Sequence, residues 1–83
     1  KLIQDQNRVS VFPNPFHSGF EVKNESGESL EIRIVNVQGD EISKLTILPN
    51  QQKKLDLSDK PPGVYFASYE MQGQLFTRKL AKQ

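Results

Sequence analysis

The sequence predicts an all-β fold, an antiparallel sandwich of seven short strands. Apolar and polar residues alternate with a period of two, and no stretch keeps the 3.6-residue period of an amphipathic helix. Turn-forming residues interrupt the alternation about every 8–12 residues, as they do in sandwiches. The chain has 83 residues, which suffices for one small domain and is too short for two.

The first two predicted strands flank a fixed bend. Val9 to Phe12 forms a short strand that ends at Pro13-Asn14-Pro15. The two prolines lack backbone donors and disfavour helix in the residues before them. Gly19 to Asn24 forms the second strand, with Phe20 and Val22 on one face.

The third strand carries the most regular alternation in the chain. It follows a polar turn at Glu25 to Glu28. Within Leu30 to Ile34 every second residue is apolar and is expected to face inward. Asn36 to Asp40 then forms a turn in which Gly39 is available for a positive φ.

The fourth and fifth strands are less regular. Glu41 to Leu48 forms the fourth strand, but the alternation of apolar and polar residues changes phase between Ile42 and Leu45, which predicts a bulge. Pro49-Asn50 forms a turn. Lys53 to Leu57 alternates again and forms the fifth strand.

The sixth strand is expected to be central in its sheet. It follows a corner at Ser58 to Gly63, and Val64 to Met71 is apolar on both faces. Gln72-Gly73 closes a hairpin, and Gln74 to Ala81 forms the last strand.

One tyrosine refines the fold class. The residues before Tyr65 resemble the tyrosine corner of immunoglobulin-like sandwiches, in which the hydroxyl bonds back to upstream backbone. An ordinary core tyrosine is the alternative. The sequence therefore predicts a seven-stranded antiparallel immunoglobulin-like β-sandwich.

Composition and charge exclude several classes of protein. The chain has 11 basic and 10 acidic residues. It therefore lacks the excess of cations with which proteins neutralise the phosphates of nucleic acids, and we expect no nucleic-acid partner. It has no cysteine, which excludes disulfides and thiolate chemistry. No apolar run reaches the ~18 residues of a transmembrane helix. The basic pairs Lys53-Lys54 and Arg78-Lys79 are expected to protect exposed strand edges.

The sequence contains no recognisable catalytic arrangement. His17 is the single histidine; without a second imidazole or a thiolate it makes no usual zinc site, so we interpret it as a solvated loop residue. Asp56 and Asp59 could offer oxygens to calcium, although turn-forming aspartates are the favoured interpretation. No nucleophile elbow, phosphate loop or dinucleotide fingerprint occurs. We expect no enzyme, no metal and no other cofactor.

Three segments of the chain, in their order and spacing, resemble the motifs of one known family. Val9 to Phe16 is similar to the family's opening, a hydrophobic strand followed by Pro-Asn-Pro. Leu30 to Ile42 resembles its alternating strand, Asn/Asp turn, glycine and return strand. Leu55 to Ser58 followed by Pro62 to Phe66 resembles its "Leu-x-Leu-Ser … Gly-hydrophobic-Tyr-hydrophobic" block. The family that these segments resemble is that of the C-terminal sorting domains of type IX secretion substrates in the Bacteroidetes. The chain departs from it at its short, polar ending, Lys79 to Gln83.

The resemblance implies a secretion signal that acts by recognition. Such a domain directs a larger cargo through the outer-membrane translocon. A surface sortase commonly cuts the domain off and attaches the cargo to the cell surface, and other cargo is released. The expected partners are that translocon, that sortase and a fused upstream cargo domain, and the expected location is secreted or cell-surface, reached through the periplasm and outer membrane. The N-terminus has no secretory apolar region, so we expect residues 1–8 to be a linker stub and residues 9–83 the sorting domain.

The resemblance also selects residues. Lys79, Leu80 and Lys82, in the last strand, are the expected contacts of the translocon. The family motif is expected to shape the fold at Pro13, Asn14, Pro15, Asn36, Gly39, Leu57, Gly63 and Tyr65.

The competing interpretation is an immunoglobulin- or fibronectin-like accessory module of a secreted enzyme or adhesin, which spaces domains or binds carbohydrate. Sugar-binding faces need exposed planar aromatics, and the chain has no tryptophan. Only Phe12, Phe16 and Phe66 are plausible exposed aromatics. A cell-surface adhesion or subunit-docking domain is a third interpretation.

Overall fold

The computed structural model describes residues 8–83. The predicted linker over residues 1–8 therefore lies outside the described residues except for Arg8. The described part contains seven strands, β1 to β7: Val9–Phe12, Gly19–Asn24, Leu30–Asn36, Glu41–Ile47, Gln52–Asp56, Gly63–Met71 and Gln74–Lys82. No helix occurs among these residues, so none of them forms one that is long and apolar enough to span a membrane.

The strands form two antiparallel sheets. β1, β2 and β5 form a three-stranded sheet in the order β1-β2-β5, and the others form a four-stranded sheet in the order β4-β3-β6-β7. The chain changes sheet after β2, after β4 and after β5. The predicted all-β sandwich of seven strands is confirmed.

The period-two pattern builds the core. In β3, Leu30, Ile32 and Ile34 are buried, whereas Glu31 and Arg33 between them are exposed. Since alternate residues of a strand face opposite sides, one face of each sheet supplies the apolar layer. The core draws on both sheets: Val9, Phe16, Phe20, Val22, Leu30, Ile32, Ile34, Ile47, Leu57, Tyr65, Ala67, Tyr69, Met71 and Leu80.

β6 is central, as the sequence predicts. It lies between β3 and β7. Tyr65, Ala67 and Tyr69 face the core, and Val64 and Phe66 on the other face are half-buried.

The predicted irregularity in β4 is a bulge. Ile34 pairs with Ser43, but Val35 pairs with Glu41, which leaves Ile42 as an extra residue opposite this step. The strand ends one residue earlier than predicted. Leu48 is exposed because the chain leaves the sheet there for a turn.

The turns agree with the residue types found in them. Gly39 has a φ of 86°, a conformation that glycine adopts readily. The Oδ1 of Asn36 accepts hydrogen bonds from the backbone N–H groups of Gln38, at 3.0 Å, and Asp40, at 2.9 Å. In the β6–β7 hairpin, Gln72 and Gly73 both have positive φ, which matches the right-handed twist of two paired strands.

A buried amide joins the β2–β3 and β4–β5 connections. The side chain of Asn24 has no exposed surface. Its Nδ2 donates to the carbonyls of Glu28 at 2.8 Å, Ile47 at 3.0 Å and Leu48 at 3.2 Å. Its Oδ1 accepts from the backbone N–H of Ser26 at 3.0 Å and from the Ser26 hydroxyl at 2.6 Å. The polar groups of both connections are thus satisfied inside the protein.

The predicted tyrosine corner is present. The hydroxyl of Tyr65 donates to the backbone carbonyl of Pro61, four residues upstream. The ring of Tyr65 remains in the core. The corner interpretation is therefore confirmed over that of a core tyrosine without such a bond.

Two cations on edge strands bridge the sheets at opposite sides of the sandwich. On β5, the ammonium of Lys53 donates to the carbonyl of Thr46 on β4 at 2.8 Å. On β7, the guanidinium of Arg78 donates to the carbonyl of Val9 on β1 at 2.6 Å. Inward-pointing charges of this kind blunt a strand edge, and here they also tie each sheet to the other.

We predict that Tyr65→Phe lowers the free energy of unfolding by about 1 kcal/mol, the usual net value of one hydrogen bond. Tyr69→Phe is the matched control, since the Tyr69 hydroxyl is buried and has no hydrogen-bond partner among residues 8–83. Removal of the Tyr69 hydroxyl should leave the free energy of unfolding unchanged or raise it. Urea unfolding measures both values, and equal losses in the two variants would contradict the corner bond.

We also predict that Asn24→Ala lowers the free energy of unfolding by about 3 kcal/mol, because buried carbonyls lose their donor. Asn36→Ala removes the same amide from a solvated turn, where water replaces it, and should lower the free energy by only about 1 kcal/mol. Thermal or urea unfolding compares the two. A larger loss for Asn36→Ala would contradict the role given to the buried amide.

Candidate functional site

The candidate site lies on the outer edge of β7, the side of the strand that does not pair with β6. β6 pairs with one side of β7 over its whole length, without a register shift. In an antiparallel strand, successive residues direct their backbone hydrogen-bonding groups to opposite sides. The groups of every second residue of β7 therefore face away from β6, where an edge strand normally meets solvent.

The asparagine of the Pro-Asn-Pro bend occupies part of this edge. The Nδ2 of Asn14 donates to the carbonyl of Lys79 at 3.0 Å, and its Oδ1 accepts from the N–H of Ala81 at 3.2 Å. One side-chain amide thus satisfies two backbone groups, as the peptide group of a neighbouring strand would. The peptide bonds before Pro13 and Pro15 are both cis.

Phe16 continues the same pairing. Its N–H donates to the carbonyl of Ala81 at 2.9 Å, and its carbonyl accepts from the N–H of Gln83 at 2.8 Å. This makes a parallel bridge between Phe16 and Lys82. The ring of Phe16 is fully buried, with its centroid 5.1 Å from that of Phe20. We call the segment Pro13–Phe16 the clamp, because it covers the edge of β7 from the Lys79 carbonyl to the Gln83 N–H.

The three residues expected to contact the translocon differ in exposure. Lys79 is exposed and Lys82 is half-buried, whereas Leu80 is only 1% exposed and packs in the core. No ion pair within residues 8–83 involves Lys79 or Lys82. The site therefore offers two cationic side chains, held in place by an apolar anchor between them.

Several predicted motif positions lie in the strands beside this site. Gly63 and Tyr65 on β6 pair with Lys82 and Leu80 on β7, and Asn36 on β3 pairs with Tyr65. Gly63 has a φ of 143°, which a side chain would disfavour. The remaining predicted positions lie elsewhere, in the β3–β4 turn and in the core after β5: Gly39 and Leu57.

The charge of β7 is of one sign. Its only ionisable side chains are Arg78, Lys79 and Lys82. The other exposed cations of the four-stranded sheet are paired, since Arg33 lies 3.1 Å from a carboxylate of Glu41 and Lys44 lies 3.8 Å from one of Glu31. Of the three cations on β7, Lys79 is exposed and forms no ion pair within residues 8–83, so the surface around it suits an acidic partner.

Possible metal and acid–base residues lie apart from this surface. The described residues contain no group of three or more His, Cys, Asp or Glu side chains that could hold a metal ion. His17 is exposed on its loop. The Oδ1 of Asp56 accepts from the backbone N–H of Ser58 at 2.9 Å, and bonds from the backbone and then the side chain of Ser58 lower the pKa of Asp56. The turn-forming interpretation of Asp56 is confirmed.

The exposed aromatics required by a sugar-binding face are few. The sequence places Phe16 among the plausible exposed aromatics, and this expectation is wrong because its ring completes the core under the clamp. Phe12 is 39% exposed and Phe66 half-buried. They belong to different sheets, so they form no common stacking platform.

The Pro-Asn-Pro bend is evident from the sequence, but the strand that it contacts is not. Asn14 and Lys79 are 65 residues apart in the chain, and no local pattern joins them. The sequence feature that points to this contact is an asparagine between two prolines. The prolines have no backbone N–H, whereas the asparagine side chain offers both donors and an acceptor.

A model of one protein family matches the chain over residues 10–83; its description is secretion system C-terminal sorting domain. The match covers the clamp and the whole of β7. No curated protein sequence matches the chain.

We predict that Asn14→Ala accelerates hydrogen exchange at the Ala81 amide about fivefold, the factor that corresponds to one net hydrogen bond. Asn14→Asp is the matched control, because its carboxylate still accepts from that amide. Exchange measured by NMR at neutral pH separates the two variants. Unchanged exchange at Ala81 in Asn14→Ala would contradict the closure of the edge by the side chain.

Proposed function

The chain belongs to the family of type IX secretion C-terminal sorting domains, and on that basis we propose that it directs a larger cargo protein, fused upstream, through the outer-membrane translocon. The cargo would cross the periplasm and then the outer membrane, to be released or attached at the surface. The partners would be the translocon and the surface sortase. A family match over residues 10–83 is the observation that carries this proposal.

Recognition is the proposed mode of action, without catalysis by the domain itself. The support is a β7 that bears three cations and no acid, together with scattered carboxylates and an isolated histidine elsewhere in residues 8–83. A cationic surface of this kind favours encounter with an acidic partner and its orientation.

Within β7 we assign different roles to the predicted residues. Lys79 and Lys82 present charge to the translocon. Leu80 holds the strand in register, because its side chain fills the core opposite Tyr65. A variant of Leu80 would therefore act through folding, whereas a variant of Lys79 would act through the contact.

We also propose the division of the chain that the sequence predicts. Residues 9–83 form the sorting domain, and residues 1–8 form the linker to the cargo. The support is that β1 begins at Val9 and that the family match begins at residue 10.

The test uses a full-length precursor with a periplasmic signal, a reporter cargo and this chain at its C-terminus, expressed in a bacterium that has the type IX system. We predict that deletion of residues 79–83 leaves the cargo in the periplasm. The deletion also removes Leu80, so a second variant, Lys79→Ala with Lys82→Ala, changes charge while keeping the anchor.

Lys44→Ala with Lys54→Ala is the matched control, because it removes two exposed lysines away from β7. We expect this control to reach the surface as the parent does. Delivery of the Lys79/Lys82 variant should be about tenfold slower, because the loss of two positive charges slows its association with an acidic partner. Cell fractionation and surface proteolysis measure delivery. Normal delivery after the deletion would refute the proposed function.

A further inference from the structure

The edge of β7 has a covered half and an open half. The clamp covers the groups from the Lys79 carbonyl to the Gln83 N–H. The same alternation directs the backbone groups of Leu75 and Thr77 away from β6. Within residues 8–83, no donor or acceptor pairs with these outward groups.

The open half also carries an exposed apolar side chain. Leu75 is 68% exposed. Natural edge strands are usually blunted by charge, proline or a covering segment. On β7 the charged side chains and the covering clamp are found from Arg78 onwards, and none of these devices lies between Leu75 and Thr77. The stretch from Leu75 to Thr77 therefore combines free backbone groups with apolar surface.

The charges of β7 indicate what kind of strand would pair there. Lys79 is exposed and lies on the same outer face as Leu75 and Thr77, whereas Arg78 points inward to the Val9 carbonyl and Lys82 lies in the covered half. A second copy of the chain would bring the same lysine, and no acid from its own β7, to the interface. An acidic strand would instead complement this lysine, with its acidic residue passing Lys79 and an apolar residue passing Leu75.

We propose that the open half of β7, from Leu75 to the N–H of Lys79, binds an extended acidic segment of the export machinery by strand addition. This inference rests on the proposed function and gives it a location and a partner chemistry. The added strand would extend the four-stranded sheet to five, and main-chain hydrogen bonds would provide much of its affinity. The side chain of Lys79, at the boundary between the two halves, would supply the positive charge while the covered edge stays closed.

Proline at position 77 tests the backbone contact directly. The N–H of Thr77 faces away from β6, so Thr77→Pro removes a donor from the open edge and none from the β6 ladder. Thr77→Val is the matched control, because it keeps the N–H and a β-branched side chain. Leu75→Pro is a second variant, because the N–H of Leu75 also faces away from β6, at a position nearer to the hairpin.

Export of the reporter precursor gives the first readout. We expect the parent and Thr77→Val to reach the surface. Export of Thr77→Pro and of Leu75→Pro should fall about tenfold, because each proline removes one main-chain hydrogen bond from the interface and weakens the neighbouring one. Urea unfolding of the purified chains identifies variants that remain folded. Export of a folded proline variant at the level of its parent would overturn the inference, while parental export would still support the proposed function. Failure of the parent itself to be exported would refute the proposed function.

Two measurements on the purified chain test the open edge without the translocon. We expect the Thr77 amide to exchange with solvent near its intrinsic rate and the Ala81 amide to be protected. Protection at Thr77 would mean that another part of the chain, such as residues 1–7, or a second copy covers the edge, and would overturn the inference. Light scattering then separates these occupants, because only a second copy doubles the mass.

Discussion

The fold depends on the contact between the first bend of the chain and its last strand. Without the clamp, β7 would be held on one side only, by β6, and the backbone from Lys79 to Gln83 would lie open. Phe16 contributes both parts of the closure, since its backbone pairs with β7 and its ring fills the core. The two ends of the domain are therefore stabilised together.

This contact explains why a strand at the edge can serve both as structure and as a binding surface. Leu80 belongs to the core and Lys79, its neighbour, points to solvent, which is the ordinary consequence of alternation in a strand. The clamp fixes the register of β7, so the exposed side chains occupy defined positions. A partner would meet a preorganised surface, which reduces the entropy lost on binding.

Much of the fold could be predicted because its determinants are local. The alternation in β3, the bulge at Ile42 and the corner at Tyr65 follow from residues close together in the sequence. The buried position of Asn24 could not be predicted in this way, because an asparagine at a strand end usually indicates a solvated turn. The burial of Phe16 was missed for a related reason, since it depends on a strand that lies more than sixty residues away. At the candidate site, the cations could be found by inspection, but the division of the edge into covered and open halves required the register of β7.

The bond between Arg78 and the Val9 carbonyl has a mechanical consequence. Val9 begins β1, and Arg78 lies in the middle of β7. Tension applied to the chain ahead of Val9 would load the backbone bond between Glu25 and Arg8 and the pairing of β1 with β2, and through the Arg78 bond part of it would pass to the strand that carries Lys79. The point where a fused cargo would pull and the surface that a partner would hold are thus linked across the sandwich by this guanidinium, in addition to the sheet itself.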